Sequence, residues 1–295
     1  MLPGVELERV QPYSSLPEFS NVLLCTDFSE TSRAAQAIAV SLCCNRAARL
    51  TVMHVSEYGP VPAITDEDLD HAMGLTAKER QQLGAVVDEV RGQGIVADSV
   101  YAEGNVASLI LDEIERRSID LAVIGTQVAH VVNRFVFGST AEAIFRRAPC
   151  AVITVGPRLN SLSSGRRGKP VVFATDFGAA SIRALAYAAS LAEINRSPLH
   201  LIHVLPLHDT KRNPTGIREA LQTMATRLPA DGTMPRCEVV FGSDVSHAVA
   251  EYAKAQDASF IAIGVRRKSL VAAHLAPHRT YRIIMTAPCP VLTIA

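Results

Sequence analysis

No charge of one sign dominates this sequence: Lys and Arg number 29, Asp and Glu number 29, and the formal net charge is zero. Proteins that hold DNA or RNA by bulk electrostatics carry a basic face, so this balance argues against a nucleic-acid partner while leaving room for a local phosphate site. Long apolar runs are missing as well. The longest, such as 21–25 and 150–155, are strand-sized, whereas a membrane helix needs roughly 20 residues. The start, Met1-Leu-Pro-Gly-Val-Glu-Leu-Glu-Arg, has no basic segment followed by an apolar stretch, so no signal peptide is read and a cytoplasmic protein without membrane association is expected. The six cysteines (Cys25, Cys43, Cys44, Cys150, Cys237, Cys289) include no C-x-x-C pair and no zinc-ligand spacing. They read as free thiols of a reducing compartment. Also absent are a G-x-S-x-G nucleophile elbow, an H-E-x-x-H metal site and a Walker lysine. Catalytic residues and a metal site are therefore not assigned, and a slow ATPase is the most that enzymology could claim.

What is present is an apolar fraction of 48% over 295 residues, enough for real cores and of a length that suggests two domains. The chain also repeats itself. Residues 22–55 lie over 171–204 at a constant offset of 149: Thr26-Asp27-Phe28 falls on Thr175-Asp176-Phe177, Ala35 and Ala39 fall on Ala184 and Ala188, and His54-Val55 falls on His203-Val204. Residues 121–155 lie over 260–294 at an offset of 139, with Ile124-Gly125 on Ile263-Gly264 and Ala148-Pro149-Cys150 on Ala287-Pro288-Cys289. Two matched ends with one change of length mean two homologous domains, 1–156 and 171–295, the second ten residues shorter in its middle. Between them, 157–170 is rich in Ser, Gly and Arg and reads as a solvated linker carrying Arg158, Arg166, Arg167 and Lys169.

Each repeat alternates apolar strand and helix. In the first, strands are expected at 21–25, 50–55, 96–101, 121–124 and 151–155, with helices at 32–44, 65–92, 106–117 and 139–147. Ser29 or Thr31 would cap the first helix, and Thr65-Asp-Glu-Asp has the form of a capping box. In the second, strands fall near 171–174, 199–204, 237–241, 260–263 and 291–294. Strands apolar on both faces and joined by helices build a parallel sheet covered on both sides. With right-handed crossovers this is an α/β, doubly wound, five-stranded parallel-sheet domain of Rossmann-like form, occurring twice in tandem. Such sheets take ligands beyond the carboxyl ends of their strands, where the winding reverses.

The candidate site therefore lies after strands one and four of the first repeat. Strand one is followed by Thr26-Asp27; strand four by Gly125, a long loop, and Gly138-Ser139-Thr140 opening a helix. A helix start offers free N–H groups and partial positive charge, glycine lets an anion approach, and the two hydroxyls add donors. Gly-Ser at a helix start is equally an ordinary cap, and Asp27 is equally a brace for the first helix. The composition leaves both pairs of readings open. His54 and His203 recur at matching strand positions and read as structural.

Two stretches carry a resemblance. Cys25-Thr-Asp-Phe-Ser-Glu-Thr resembles the strand-one signature of universal stress proteins, and Gly138-Ser-Thr-Ala-Glu-Ala-Ile-Phe-Arg-Arg-Ala-Pro-Cys-Ala-Val resembles their last helix and strand. The resemblance runs through both repeats and implies the adenine nucleotide alpha hydrolase-like fold. It implies ATP or another adenine nucleotide as ligand, with Mg2+ only alongside it, and a regulatory role in a stress response. By resemblance Asp27 faces the nucleoside, the backbone of Val55 reads the adenine edge, and Gly125, Gly138, Ser139 and Thr140 hold the phosphates with Arg134 in reach. Val128 stands where the family's nucleotide-binding branch has the middle glycine of its loop; a β-branched residue resists positive φ and crowds a phosphate. The second repeat departs further: Arg267 replaces that glycine and Pro277-His278 replaces the Gly-Ser pair, so a phosphate donor is lost. The resemblance also implies a pseudo-dimer of the two repeats through strands 151–155 and 291–294, and a homodimer of chains. A ligand-free scaffold and a slow ATPase remain as alternatives.

Overall fold

The structure, a computed structural model, describes residues 13–57, 66–126, 128–131, 134–137, 139–159, 167–207, 213–229, 234–265 and 279–295. Contacts divide the chain into two compact units. One is Phe19–Val152; the other runs from Ile153 to Ala295 and takes in the described residues 13–18.

The first repeat follows the order β1 (Asn21–Cys25), α1 (Glu30–Arg46), β2 (Arg49–Ser56), α2 (Asp66–Arg91), β3 (Ala97–Glu103), α3 (Val106–Arg116), β4 (Leu121–Gly125), a hairpin of β5 (Val128–Val131) and β6 (Arg134–Phe137), α4 (Ser139–Arg147) and β7 (Ala151–Val155). The main sheet runs β7-β4-β1-β2-β3, and the β1–β2, β1–β4 and β2–β3 pairs are parallel. The chain winds β1 to β2 to β3 in one direction and then returns to β4 on the far side of β1, so the winding reverses between β1 and β4. Val22, Leu23 and Leu24 of β1 are fully buried, as expected for a central strand covered on both faces. Burial of that kind stabilises by about 1.5–3 kcal/mol per large aliphatic side chain.

The second unit repeats the plan with β8 (Val171–Ala174), α5 (Ala179–Ile194), β9 (Leu199–Pro206), α6 (Pro214–Ala225), β10 (Arg236–Gly242), α7 (Val245–Ala255), β11 (Phe260–Gly264), α8 (Arg279–Thr286) and β12 (Val291–Ile294). Its strand order is β10-β9-β8-β11-β12. The repeat offsets survive in the strand registers. Val22 pairs with Leu50 and Leu121, and Val171, 149 residues on, pairs with Leu199 and Phe260.

The repeated alanines have a packing reason. Ala35 and Ala39 of α1, and Ala184 and Ala188 of α5, are completely buried and let each helix lie close to its sheet. That closeness explains the repeated glycine at the end of the fourth main strand. A Cβ on Gly125 would sit 2.7 Å from the backbone of Thr31 and Ser32, and one on Gly264 would sit 2.4 Å from the backbone of Ala180 and Ser181. Gly264 thus has a structural role, set by the close approach of α5.

One expectation is corrected. The long loop expected after Gly125 contains an antiparallel hairpin in which Val128 pairs with Phe137 and Val131 with Arg134. Val, Phe and alternating apolar residues suit an extended ribbon better than a glycine loop. The Thr65 capping position, Gly138, Arg266–Lys268, Pro277, His278 and residues 160–166 of the 157–170 linker lie outside the described residues. No described helix is long and apolar enough to cross a membrane.

Candidate functional site

A cavity of about 430 Å³ opens in the first unit at the carboxyl ends of β1, β2 and β4, where the winding reverses. The volume falls in the range of roughly 300–1,000 Å³ common for small-molecule sites. Its walls come from Cys25, Thr26 and Asp27 at the end of β1, His54 to Glu57 at the end of β2, Ile124, Gly125 and Thr126 at the end of β4, Glu79 of α2, Val106 and Ile110 of α3, and Thr140 and Ile144 of α4. The structure thus gathers Thr26, Asp27, Val55, Gly125 and Thr140 of the expected set around one space. Arg134 lies in β6 and Ser139 opens α4.

Val55 is placed by strand geometry. The Met53 carbonyl accepts from Thr26 N–H at 2.9 Å on the β1 side, and the Ser56 carbonyl accepts from Gly104 N–H at 2.9 Å on the β3 side. Backbone polar groups alternate sides along a strand. Val55 therefore turns its N–H and C=O to the β1 side, beyond the last register pair of β1, Cys25 with Met53.

Asp27 braces the turn that enters α1. Its carboxylate accepts from Ser29 N–H at 3.0 Å and from the hydroxyls of Ser29 and Ser32. Ser29 is the N-cap, its Oγ accepting from Ser32 N–H at 3.2 Å. Burial works against the ionised form, but these hydrogen bonds outweigh it and hold the Asp27 carboxyl below its ordinary value. The turn drives Phe28 into the left-handed region at φ 63°, a conformation that non-glycine residues adopt at a cost of about 1–2 kcal/mol. The Phe28 ring then stacks on His54 at 4.4 Å between centroids. The second unit builds the same turn: Gly178 N–H and the Ser181 hydroxyl donate to Asp176 at 2.9 and 2.8 Å, Phe177 has φ 58°, and its ring lies 5.0 Å from His203. A brace common to both repeats belongs to the fold, whatever else Asp27 does.

The histidines are structural on one side of the ring. His54 Nδ1 donates to the Thr26 carbonyl at 2.8 Å, and His203 Nδ1 donates to the Thr175 carbonyl at 2.8 Å. On its other side, His54 Nε2 is buried with no hydrogen-bond partner; Glu79 Oε1 stands 3.7 Å away, within ion-pair range but beyond hydrogen-bond reach. Glu79 accepts from the Tyr101 hydroxyl at 2.9 Å and from the Ser56 hydroxyl at 3.4 Å. Thr126, 2% exposed, joins the opposite wall. Glu79, Tyr101 and Ser56 were not singled out in the sequence. The signal for them lies in the comparison of repeats: by strand register, Ser56 and Tyr101 correspond to Leu205 and Val239.

Thr140 in the first turn of α4 lines the cavity. Gly125 is fixed by the first turn of α1, and the β5–β6 hairpin follows it after Thr126 and residue 127. Among the described residues no group of three His, Cys, Asp or Glu side chains could hold a metal.

The family model described as the universal stress protein family matches residues 18–156 and again 168–295. Comparison with curated proteins returned no match. Among solved structures, the chain is similar to a universal stress protein from Archaeoglobus fulgidus DSM 4304, with 20% identity, TM-score 0.75, and 93% of this chain and 96% of that one covered. It is also similar to a functionally unknown protein from Pseudomonas aeruginosa PAO1, with 14% identity, TM-score 0.63, and 94% and 92% covered. At these identities the likeness concerns the fold, a tandem pair of such domains over nearly the whole length.

Proposed function

The chain belongs to the universal stress protein family in both of its repeats, and from that premise we propose that it is a nucleotide-responsive regulatory protein which holds one adenine nucleotide, ATP or a shorter one, in its first repeat. The observation that carries this reading is the cavity at the winding reversal, with the Val55 backbone edge turned into it. That edge offers one donor and one acceptor side by side, which matches the ring nitrogen and amine of adenine. The nucleoside then lies over Thr26 and Asp27, and the phosphates run toward Thr140 and the start of α4, with Gly138, Ser139 and Arg134 as their expected holders and Mg2+ arriving only with the phosphates. Val128 in a paired strand favours a short phosphate chain, since the hairpin occupies the place of an open glycine loop.

Among the described residues that line the cavity no nucleophile is paired with a base, so the reading is regulatory rather than catalytic. The same proposal includes pairing of the repeats through 151–155 and 291–294 and association of two chains in a stress response. Light scattering at micromolar concentration tests the second: a monomeric mass counts against it.

The ligand is tested by native mass spectrometry of the purified protein, followed by calorimetric titration of wild type, Gly138→Pro and Asp176→Ala. One site per chain, abolished by Gly138→Pro and unchanged by Asp176→Ala, is expected. Charge-assisted hydrogen bonds to phosphate contribute about 1.5–3 kcal/mol each, so losing two weakens binding roughly a hundredfold or more. Binding that follows Asp176 instead would place the ligand in the second repeat. No binding of any adenine nucleotide would leave the scaffold reading, which the hairpin and the diverged second repeat favour.

A further inference from the structure

Among the described residues, the second repeat has no counterpart of the Ser56 and Tyr101 hydroxyls that meet Glu79 at the β2–β3 end of the cavity. Glu79 lines the cavity from α2, with its side chain 22% exposed. The Tyr101 and Ser56 hydroxyls both donate to it, and the Arg80 guanidinium lies 4.0 Å over the Tyr101 ring. Burial, reinforced by the negative charge of Glu79, pushes the Tyr101 phenol up, so it stays a donor. Behind the carboxylate, the His54 ring is held by the Thr26 carbonyl and leaves Nε2 buried and unbonded at 3.7 Å. In the second unit the strands superpose by register, and Leu205 and Val239 stand where Ser56 and Tyr101 stand. There α6 packs on β9 and β10 with no hydroxyl at either of those two positions. Seating α2 is therefore not a sufficient reason for a carboxylate with two dedicated donors in the wall of a cavity.

We propose that Glu79 is the specificity-determining acceptor for the exocyclic amine of the purine, so that the site takes 6-aminopurines and rejects 6-oxopurines. This rests on the adenine-nucleotide reading of the same cavity. An ionised carboxylate only accepts hydrogen bonds, and a base amine has two N–H groups to give. The Val55 carbonyl takes one and Glu79, close to the same strand end, takes the other. A 6-oxopurine presents a carbonyl oxygen at that point, acceptor against acceptor, and pays the desolvation of both. Tyr101 and Ser56 are positioning residues: they hold the carboxylate in one orientation through its remaining lone pairs.

The test is the ratio of affinities for AMP and IMP, measured by calorimetry on wild type, Glu79→Gln and Tyr101→Phe. Both ligands report on the same folded population, so partial unfolding of a variant cancels in the ratio. Wild type is expected to prefer AMP by about tenfold or more, as sites that pair a buried polar group with its ligand do. In Glu79→Gln the amide can donate to the oxo group, so IMP gains and the preference collapses toward unity; Tyr101→Phe is expected to fall between. Equal binding of AMP and IMP by wild type overturns this inference and leaves the adenine-nucleotide reading in place. An unchanged ratio in Glu79→Gln does the same. Failure of wild type to bind AMP at all removes the reading and the inference together.

Discussion

Replacing Gly264 by alanine places a methyl group 2.4 Å from the backbone carbon of Ala180 and the nitrogen of Ser181. Those atoms open α5 and cannot rotate away as a side chain would. The helix must back off from β11, which loosens the seats of Ala184 and Ala188, both completely buried. Overpacking of this kind costs about 1–3 kcal/mol. At about 2–4 °C per kcal/mol for a unit of this size, melting should fall by roughly 2–12 °C. Gly125→Ala meets the α1 backbone at 2.7 Å and should show a smaller loss in the same range. Gly84 of α2 has nothing within 4 Å of the added carbon, so Gly84→Ala serves as a control and should stabilise by about 0.5–1 kcal/mol. Scanning calorimetry and urea titration followed by circular dichroism measure all three. Wild-type stability in Gly264→Ala would refute the packing argument. Wild-type stability in Gly125→Ala with loss of nucleotide would show that this glycine serves a ligand instead.

Asp27 is depressed in the folded state by its hydrogen bonds against the opposing effect of burial, so its contribution is fully present above its ordinary value of 3.8 and fades as pH falls below it. Asp27→Asn should therefore flatten the acid limb of the stability curve relative to wild type, read by thermal melts at stepped pH; an unchanged limb contradicts the brace. Burial pushes the Cys25, Cys43 and Cys150 thiols up to about 12, whereas Cys44 is exposed. Alkylation at neutral pH should mark Cys44 first and reach the other three only in denaturant, with peptide mass mapping as the readout. Ala47 ends α1 in the left-handed region at φ 54°. Ala47→Gly should raise stability by about 1 kcal/mol in denaturant titration, and a loss would contradict that backbone conformation.

The apolar runs and the repeat offsets made the architecture legible, because a parallel strand buried on both faces is a continuous apolar stretch and little else. Thr26-Asp27, Gly125 and Thr140 could be placed together for the same reason: each closes a strand or opens a helix at one end of the sheet; Val55 was added only by the family resemblance. The β5–β6 hairpin was not legible. Val128-Ala-His-Val and Arg134-Phe-Val-Phe are short, and without a tight Asn-Gly or Asp-Gly turn between them nothing marked a ribbon. Glu79 was hidden among the many charged residues of a helix; only the register of β2 and β3 brings Ser56 and Tyr101 to it. Residues 13–18 were hidden by sequence distance. Tyr13 N–H donates to the Arg227 carbonyl at 3.0 Å and the Ser190 hydroxyl donates to the Pro17 carbonyl at 2.6 Å, which ties this N-terminal stretch to the second unit although it precedes the first. No local pattern announces a contact across more than 170 positions.

Hydrogen–deuterium exchange with and without millimolar AMP tests the central claim most directly, because it reports on both repeats in one sample. The first-repeat site requires slower exchange at His54–Glu57, Gly125–Thr126 and Thr140, the backbone that lines the cavity. It requires no change at the matching positions His203–Pro206 and Gly264–Val265. Protection of the second set, or of neither at saturating nucleotide, would contradict it.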